Sequence, residues 1–121
     1  MLIYGCKQTN KQPKTKRKEV FIMMKVKNMT SDRSGREVAN QFIITDGNKT
    51  LFQSYSSPIV EIDRTANTIT VYENWDYSVT TGKYRDKFMR SEGFSMMTGK
   101  KNFAEYLELG EIRGYKIVKA F

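Results

Sequence analysis

A short polar segment in the first third of the chain has the residue types of an anion-binding loop. In the run NMTSDRSGR, Arg33, Ser34 and Arg36 surround Gly35. A glycine with positive φ lets neighbouring backbone N–H groups converge, and two guanidinium groups add bidentate hydrogen bonds to a phosphate or a carboxylate. The run matches neither a Walker loop nor a glycine-rich dinucleotide pattern. A solvated loop whose Ser, Asp and Gly serve turn geometry is therefore the alternative interpretation.

Aromatic residues beside polar ones form two further candidate contact sites. Gln53 and Tyr55 lie on a predicted strand, where an exposed ring can stack on a base or anchor a protein partner. Trp75 and Tyr77 lie at a predicted strand-to-helix corner, and both residue types are enriched at interfaces because a large apolar body carries a polar group. The alternatives are that Tyr55 covers the sheet edge and that Trp75 belongs to the core.

Residues that support catalysis or metal binding are scarce. The chain has no His and a single Cys, Cys6, which excludes Ser-His-Asp and Cys-His systems, cysteine or histidine zinc sites and an intramolecular disulfide. Glu61 and Asp63 have same-face spacing on a strand, and Asp32 and Glu37 share a loop, but neither pair accompanies a metal pattern or a nearby base. We therefore predict no enzyme, no cofactor and no metal.

The net charge of +8 is concentrated at one end of the chain. Residues 7–18 contain six Lys and Arg, no acid and no aliphatic or aromatic side chain. From Met24 onward, 15 Lys and Arg stand against 12 Asp and Glu. We predict a basic N-terminal arm at residues 1–22, disordered or an upstream leader, and a single domain at 23–121.

Three interpretations of the arm remain open from the sequence. It is a nucleic-acid arm that neutralises phosphates, an inert tail, or a leader included in an over-long reading frame. The leader interpretation rests on Lys18-Glu19-Val20, whose codons can contain a ribosome-binding sequence at a suitable spacing before Met23 and Met24.

Hydrophobic periodicity predicts the secondary structure of the remainder. Strands are predicted at Glu19–Met29, Val38–Thr45, Thr50–Tyr55, Ile59–Ile62, Thr68–Tyr72 and Tyr115–Phe121. One helix is predicted to begin near Ser78, Thr80 or Thr81 and to stop at Gly93, and a second to run from Thr98 or Gly99 to Leu109. The prediction is an α+β fold: a mostly antiparallel sheet of four to six strands with two helices packed on one face.

A set of motifs resembles small, uncharacterised bacteriophage and prophage accessory proteins. The resemblance is carried by KVKNMTSDRSGREVANQFII, by FQSY at Phe52–Tyr55 and by NWDYS with Thr80-Thr81 and Lys83-Tyr84 behind it, and it covers roughly Met24 to Met89. It implies a phage accessory gene and gives no mechanism to transfer.

The leading hypothesis is a non-catalytic protein that docks on a host or phage macromolecule, with counter-defence of an anti-CRISPR-like kind as a narrower version. Such a protein is expected in the cytoplasm of the bacterial host and not in a membrane, because no apolar run is long enough to span one. The alternative is nucleic-acid binding through Arg33 and Arg36 together with helix cations. Those helix cations are Lys83, Arg85, Lys87 and Arg90.

Overall fold

The computed structural model describes residues 24–121 of the chain. These residues form seven strands, in which apolar and polar side chains alternate, and two α-helices. The strands are β1 (Met24–Thr30), β2 (Glu37–Asp46), β3 (Lys49–Ser54), β4 (Ser57–Asp63), β5 (Thr68–Tyr72), β6 (Glu111–Ile112) and β7 (Tyr115–Ala120). The helices are α1 (Val79–Ser91) and α2 (Lys100–Leu109), joined by a 3-10 turn at Ser95–Met97. The predicted arm at residues 1–22 and the first half of the predicted strand Glu19–Met29 lie outside the described residues.

All seven strands form one mixed sheet in the order β1-β2-β3-β4-β5-β7-β6. Every neighbouring pair is antiparallel except β5 and β7, which run parallel. The segment that holds both helices supplies the long crossover that a parallel pair requires. The α+β class and the mostly antiparallel sheet are thus confirmed. The limit of six strands is wrong, because the turn at Arg113-Gly114 folds the two-residue β6 back onto β7.

One face of the sheet carries the core. The register aligns Phe52, Val60 and Val71 across three neighbouring strands, and all three are buried. These residues join one buried cluster with Phe88 of α1 and Phe103 of α2. Both helices therefore pack on the face that the period-2 pattern marks as apolar.

The helix boundaries follow the capping residues. The Ser78 hydroxyl accepts a hydrogen bond from the backbone N–H of Thr81 and caps α1. Gly93 follows α1 at φ 96° and Gly110 ends α2 at φ 83°, both in the region of positive φ that suits glycine. No helix among residues 24–121 is both long and apolar enough to cross a membrane.

A buried arginine connects the two helices to the strand-to-helix corner. Arg85 is only 1% exposed, and its guanidinium lies 4.8 Å from the ring centre of Phe103 and 5.4 Å from that of Trp75. It donates to the Trp75 carbonyl at 2.8 Å and pairs with Asp86 at 3.0 Å. Asp76 lies 3.6 Å away on the other side. The charge is thus buried with its partners in place, as a buried ion must be.

Replacing Arg85 with Ala is expected to lower the free energy of unfolding by about 3 kcal/mol or more, because two carboxylates lose their buried partner and the two rings lose a contact. Arg90→Ala, an exposed position on the same helix, is the matched control and should change stability by less than about 0.5 kcal/mol. Urea unfolding measures both, and an Arg85 variant as stable as the control contradicts this role.

A candidate binding groove at one end of the sheet

Three connections meet at the same end of the sheet because the first five strands alternate in direction. They are the β1–β2 loop, the β3–β4 turn at Tyr55-Ser56, and the corner that leads from β5 into α1. The loop carries Arg33, Ser34 and Arg36, and the corner carries Trp75 and Tyr77. The antiparallel order thus brings six of the seven predicted protein or anion contacts to one end of the sheet, and the seventh, Gln53, lies in β3 two residues before Tyr55.

A groove of about 680 Å³ opens between the β3–β4 turn and the first turn of α1. That volume lies within the range of about 300–1,000 Å³ that is usual for ligand sites. Its lining consists of Ser, Thr, Tyr and Asn with one Ile: Ser54, Tyr55, Ser56, Ser57, Ile59, Asn74, Tyr77, Ser78, Thr80 and Thr81. No carboxylate, ammonium or guanidinium belongs to this lining, so the described part of the groove offers hydroxyl, amide and aromatic contacts.

A chain of hydroxyl groups joins the helix cap to the sheet. Ser78 donates to the Thr81 hydroxyl at 3.1 Å, and the Thr81 and Ser54 hydroxyls share a hydrogen bond of 3.0 Å. Thr81 and Ser54 are buried. Gln41 lies directly across from Ser54 in the register and is also fully buried. The bonded hydroxyls fix the first turn of α1 against the end of β3.

Tyr55 occupies a backbone conformation that its side chain disfavours. It is the first residue of a two-residue turn and has φ 57°, although turns with positive φ at that position usually place Gly there. A non-glycine residue with positive φ costs about 1–2 kcal/mol. The conformation is held by the Tyr55 N–H, which donates to the Asn40 carbonyl at 2.6 Å, and by Gln53, whose side chain donates to the Tyr55 carbonyl at 2.9 Å.

The two tyrosines of the groove are exposed, whereas the tryptophan is partly buried against the core. Tyr55 is 52% exposed and Tyr77 is 72% exposed. Trp75 stacks on Phe103 with the ring centres 5.0 Å apart and packs against the core. Packing against the core favours the core alternative for Trp75, and its contact role stays a prediction. The Gln53 side chain supports the Tyr55 turn.

The β1–β2 loop is organised by its own serines. The backbone N–H groups of Arg33 and Arg36 donate to the hydroxyls of Ser31 and Ser34, both at 3.2 Å. The Gly35 N–H donates to the Ser31 carbonyl at 2.8 Å. These bonds use the N–H groups that a backbone anion site requires, so turn geometry explains the serines and the glycine. The side chains of Arg33 and Arg36 remain exposed.

The predicted nucleic-acid residues of α1 divide into buried and exposed ones. Arg85 leaves this set because its guanidinium lies in the core and cannot reach a phosphate. Lys87 pairs with Asp32 at 2.8 Å and also donates to the Thr30 carbonyl, which ties the β1–β2 loop to the helix. Lys83 and Arg90 are exposed.

The hydroxyl residues of the groove are largely absent from the sequence-based site. Ser78, Thr80 and Thr81 are predicted only as helix caps, Ser54 and Asn74 enter only as members of the FQSY and NWDYS segments, and Ser56 and Ser57 have no predicted role. Serine and threonine are common in turns, so their types give no local signal. The one available signal is the density of hydroxyl residues in SYSS and DYSVTT. Within residues 24–121, no three acidic, Cys or His side chains gather as a metal site would require.

The geometry defines an α+β domain with a groove at one end of its sheet, and the described lining of this groove holds no charged side chain. The family model described as "Family of unknown function (DUF8033)" matches residues 24–105, and the chain belongs to this family. Searches of curated proteins and of solved structures give no match to the chain.

Replacing Tyr55 with Gly should raise the free energy of unfolding by up to about 1 kcal/mol, because relief of the strained φ exceeds the entropy that glycine adds to the unfolded chain. Tyr77→Gly is the control for loss of an exposed ring and should not stabilise the protein. Thermal unfolding compares the two variants. A destabilised Tyr55→Gly protein contradicts the assigned strain.

The Lys87 ammonium, through its hydrogen bond and its charge, holds the pKa of Asp32 below the ordinary value of 3.8, with smaller contributions from Arg90 and Lys83. Lys87→Gln should therefore raise the pKa of Asp32 toward 3.8, whereas Arg90→Gln should raise it less. Any stability that this pair adds is present above pH 3.8 and is lost as the pH falls through the lowered pKa. NMR titration of the Asp32 carboxyl carbon measures the shift, and an unchanged titration contradicts the pairing.

Proposed function

We propose that the protein is a non-catalytic phage accessory module that binds a host or phage protein in the groove between Tyr55 and Tyr77. The partner segment carries uncharged polar and apolar side chains, because the described lining of the groove holds no charge to pair with an ion. Occupying the surface of the partner is the activity. Blocking a host defence protein in this way is the narrower form of the proposal.

The strained conformation of Tyr55 is the observation that carries this proposal. Residues in disfavoured backbone conformations concentrate at functional sites, where the surroundings hold them in place. Here two hydrogen bonds stabilise a turn whose ring is 52% exposed at the rim of the groove. A glycine would make the same turn at lower cost, so the retained tyrosine supports a role for the ring outside the fold.

The composition of the groove supports a protein partner. Tyrosine with Ser and Asn is the combination that antibody paratopes use, since a rigid ring supplies contact area and short polar side chains supply adaptable hydrogen bonds. Tyr55 and Tyr77 provide two exposed rings, and six Ser and Thr side chains provide the hydroxyls. No histidine exists in the chain to activate any of these hydroxyls as a nucleophile.

The phage and counter-defence parts of the proposal come from the sequence resemblance. The residues that carry it include FQSY and NWDYS, which contain Tyr55 and Tyr77. The same motifs therefore place two tyrosines at the rim of the groove. This overlap supports a contact role for Tyr55 and Tyr77 in this chain.

The test is site-specific photo-crosslinking in infected host cells. A photoreactive phenylalanine analogue replaces Tyr77 in one protein and Leu109, an exposed residue of α2, in the control. The expected result is a discrete protein adduct from position 77 that is absent from position 109. The adduct should also disappear when Tyr55→Gly is added, because the groove then lacks both native rings.

Affinity for the crosslinked partner gives the quantitative check. The double variant Tyr55→Gly, Tyr77→Ala should bind at least about tenfold more weakly, which is about 1.4 kcal/mol, while it unfolds at the same or a higher temperature. This combination of weaker binding without lost stability distinguishes contact from a structural role. Equal adducts from both crosslinking positions, or unchanged affinity of the double variant, contradict the groove as the binding site.

A further inference from the structure

A second surface, separate from the groove, is strongly basic. Asp32 lies at its centre and pairs with Lys87 at 2.8 Å. Lys83 and Arg90 occupy the same side of α1, at helical spacings of four and three from Lys87, and both are close enough to lower the pKa of Asp32. Arg33 is the next residue of the loop. The loop thus lies against a row of three cations on α1.

The edge strand β1 adds two more cations to this surface. Lys27 and Lys87 line a cleft of about 550 Å³ between α1 and the outer strands. Lys25 is two residues before Lys27 and therefore points to the same side of the sheet. Both lysines of β1 are exposed. The basic surface therefore spans three elements: β1, the β1–β2 loop and α1.

The charges of the described domain are unevenly divided. Apart from the buried Arg85, the three elements of the basic surface carry seven cations: Lys25, Lys27, Arg33, Arg36, Lys83, Lys87 and Arg90. Only three acids accompany them, Asp32, Glu37 and Glu92, and Glu92 already pairs with Arg64 at 2.9 Å. In the rest of residues 24–121, eight cations stand against nine acids. The excess charge of the domain is thus located on this one surface.

We infer that this basic surface binds the phosphate backbone of nucleic acid, a function beyond the proposed protein contact in the groove. Long flexible cations spread over three elements suit a periodic polyanion, and they give affinity without reading base sequence. An acidic protein segment fits less well, because protein interfaces are anchored by aromatic residues and Arg and are depleted in Lys, and four of these cations are lysines: Lys25, Lys27, Lys83 and Lys87. The ring that this surface contains, Tyr84, is only 6% exposed and lies beneath Lys83.

The test compares two triple variants of the full chain with a fluorescently labelled DNA duplex of mixed sequence. Lys27→Gln, Lys83→Gln, Arg90→Gln removes three charges from the basic surface. Its matched control removes three exposed lysines elsewhere: Lys49→Gln, Lys101→Gln, Lys116→Gln. Both variants keep residues 1–23 and carry the same net charge, so the predicted basic arm contributes equally to each. Affinity is measured over a range of salt concentrations, and thermal unfolding verifies that both variants fold.

The basic-surface variant should bind DNA at least about tenfold more weakly at low salt. The slope of log affinity against log salt should also become shallower by about 2–3, because each lost phosphate contact contributes about 0.9 to that slope. The control should keep the slope of the unchanged protein, as should the double variant of Tyr55 and Tyr77. Equal losses in the two triple variants, or none in either, overturn the inference. The same variants are also titrated with poly-glutamate. If the basic-surface variant loses affinity for poly-glutamate and keeps its affinity for DNA, the surface binds an acidic protein and the inference is overturned.

Discussion

The buried charge of Arg85 is the interaction on which the functional end of the molecule depends. Its guanidinium lies beside the stacked rings of Trp75, at the corner, and Phe103, on α2. Its carboxylate partner Asp86 also accepts the backbone N–H of Gly99, just before α2, at 3.0 Å. One cation therefore joins the β5–α1 corner, α1 and α2. The corner in turn presents Tyr77 and Ser78, which form one side of the groove.

The arrangement has a physical cost that well-packed apolar residues would avoid. A buried ion network must recover the hydration energy of its charges, and an apolar cluster of the same shape is often as stable. The planar guanidinium does what an aliphatic side chain cannot, since it makes cation–π contacts with two rings and donates to a carbonyl and a carboxylate in fixed directions. Directional bonding at this point sets the position of the corner, whereas the apolar core alone would set it less tightly.

Two surfaces of different physical character result from this fold. The groove is uncharged in its described lining and contains strained Tyr55, so contact there depends on shape and on hydrogen bonds. The basic surface around Asp32 depends on charge and is therefore sensitive to salt. Because Lys87 anchors the β1–β2 loop to α1, the fold keeps the loop cations on the basic surface. The two surfaces can therefore be altered independently.

Local patterns in the sequence were sufficient for most of the secondary structure. The alternation in TITVY predicts the bounds of β5. Ser78 is one of the three residues predicted to begin the first helix, Gly93 lies two residues after its end at Ser91, and the second helix ends at Leu109 as predicted. The parallel pairing of β5 with β7 was not predictable in this way, because no local pattern specifies which strand lies beside another. The two-residue β6 is too short to produce a periodic signal.

The site was predicted less completely than the fold, for two reasons. The groove combines segments that are distant in the chain, and the positive φ of Tyr55 leaves no trace in its residue type. The position of Arg85 in the helical period does carry a signal. Arg85 lies four residues after Thr81 and four before Met89, both buried, so it belongs to the inner side of α1 even though its type suggests the surface.

Amide hydrogen exchange in an Arg85→Lys variant tests the central role of this arginine most directly. Lysine keeps the positive charge but loses the planar fork, so the corner should loosen while the sheet stays intact. The account predicts faster exchange at the N–H groups of Tyr77, Thr81 and Gly99, which bond to Asn74, Ser78 and Asp86, and unchanged exchange across the β2–β3 pairing. Unchanged exchange at those three amides, or an equal increase in the sheet, would contradict it.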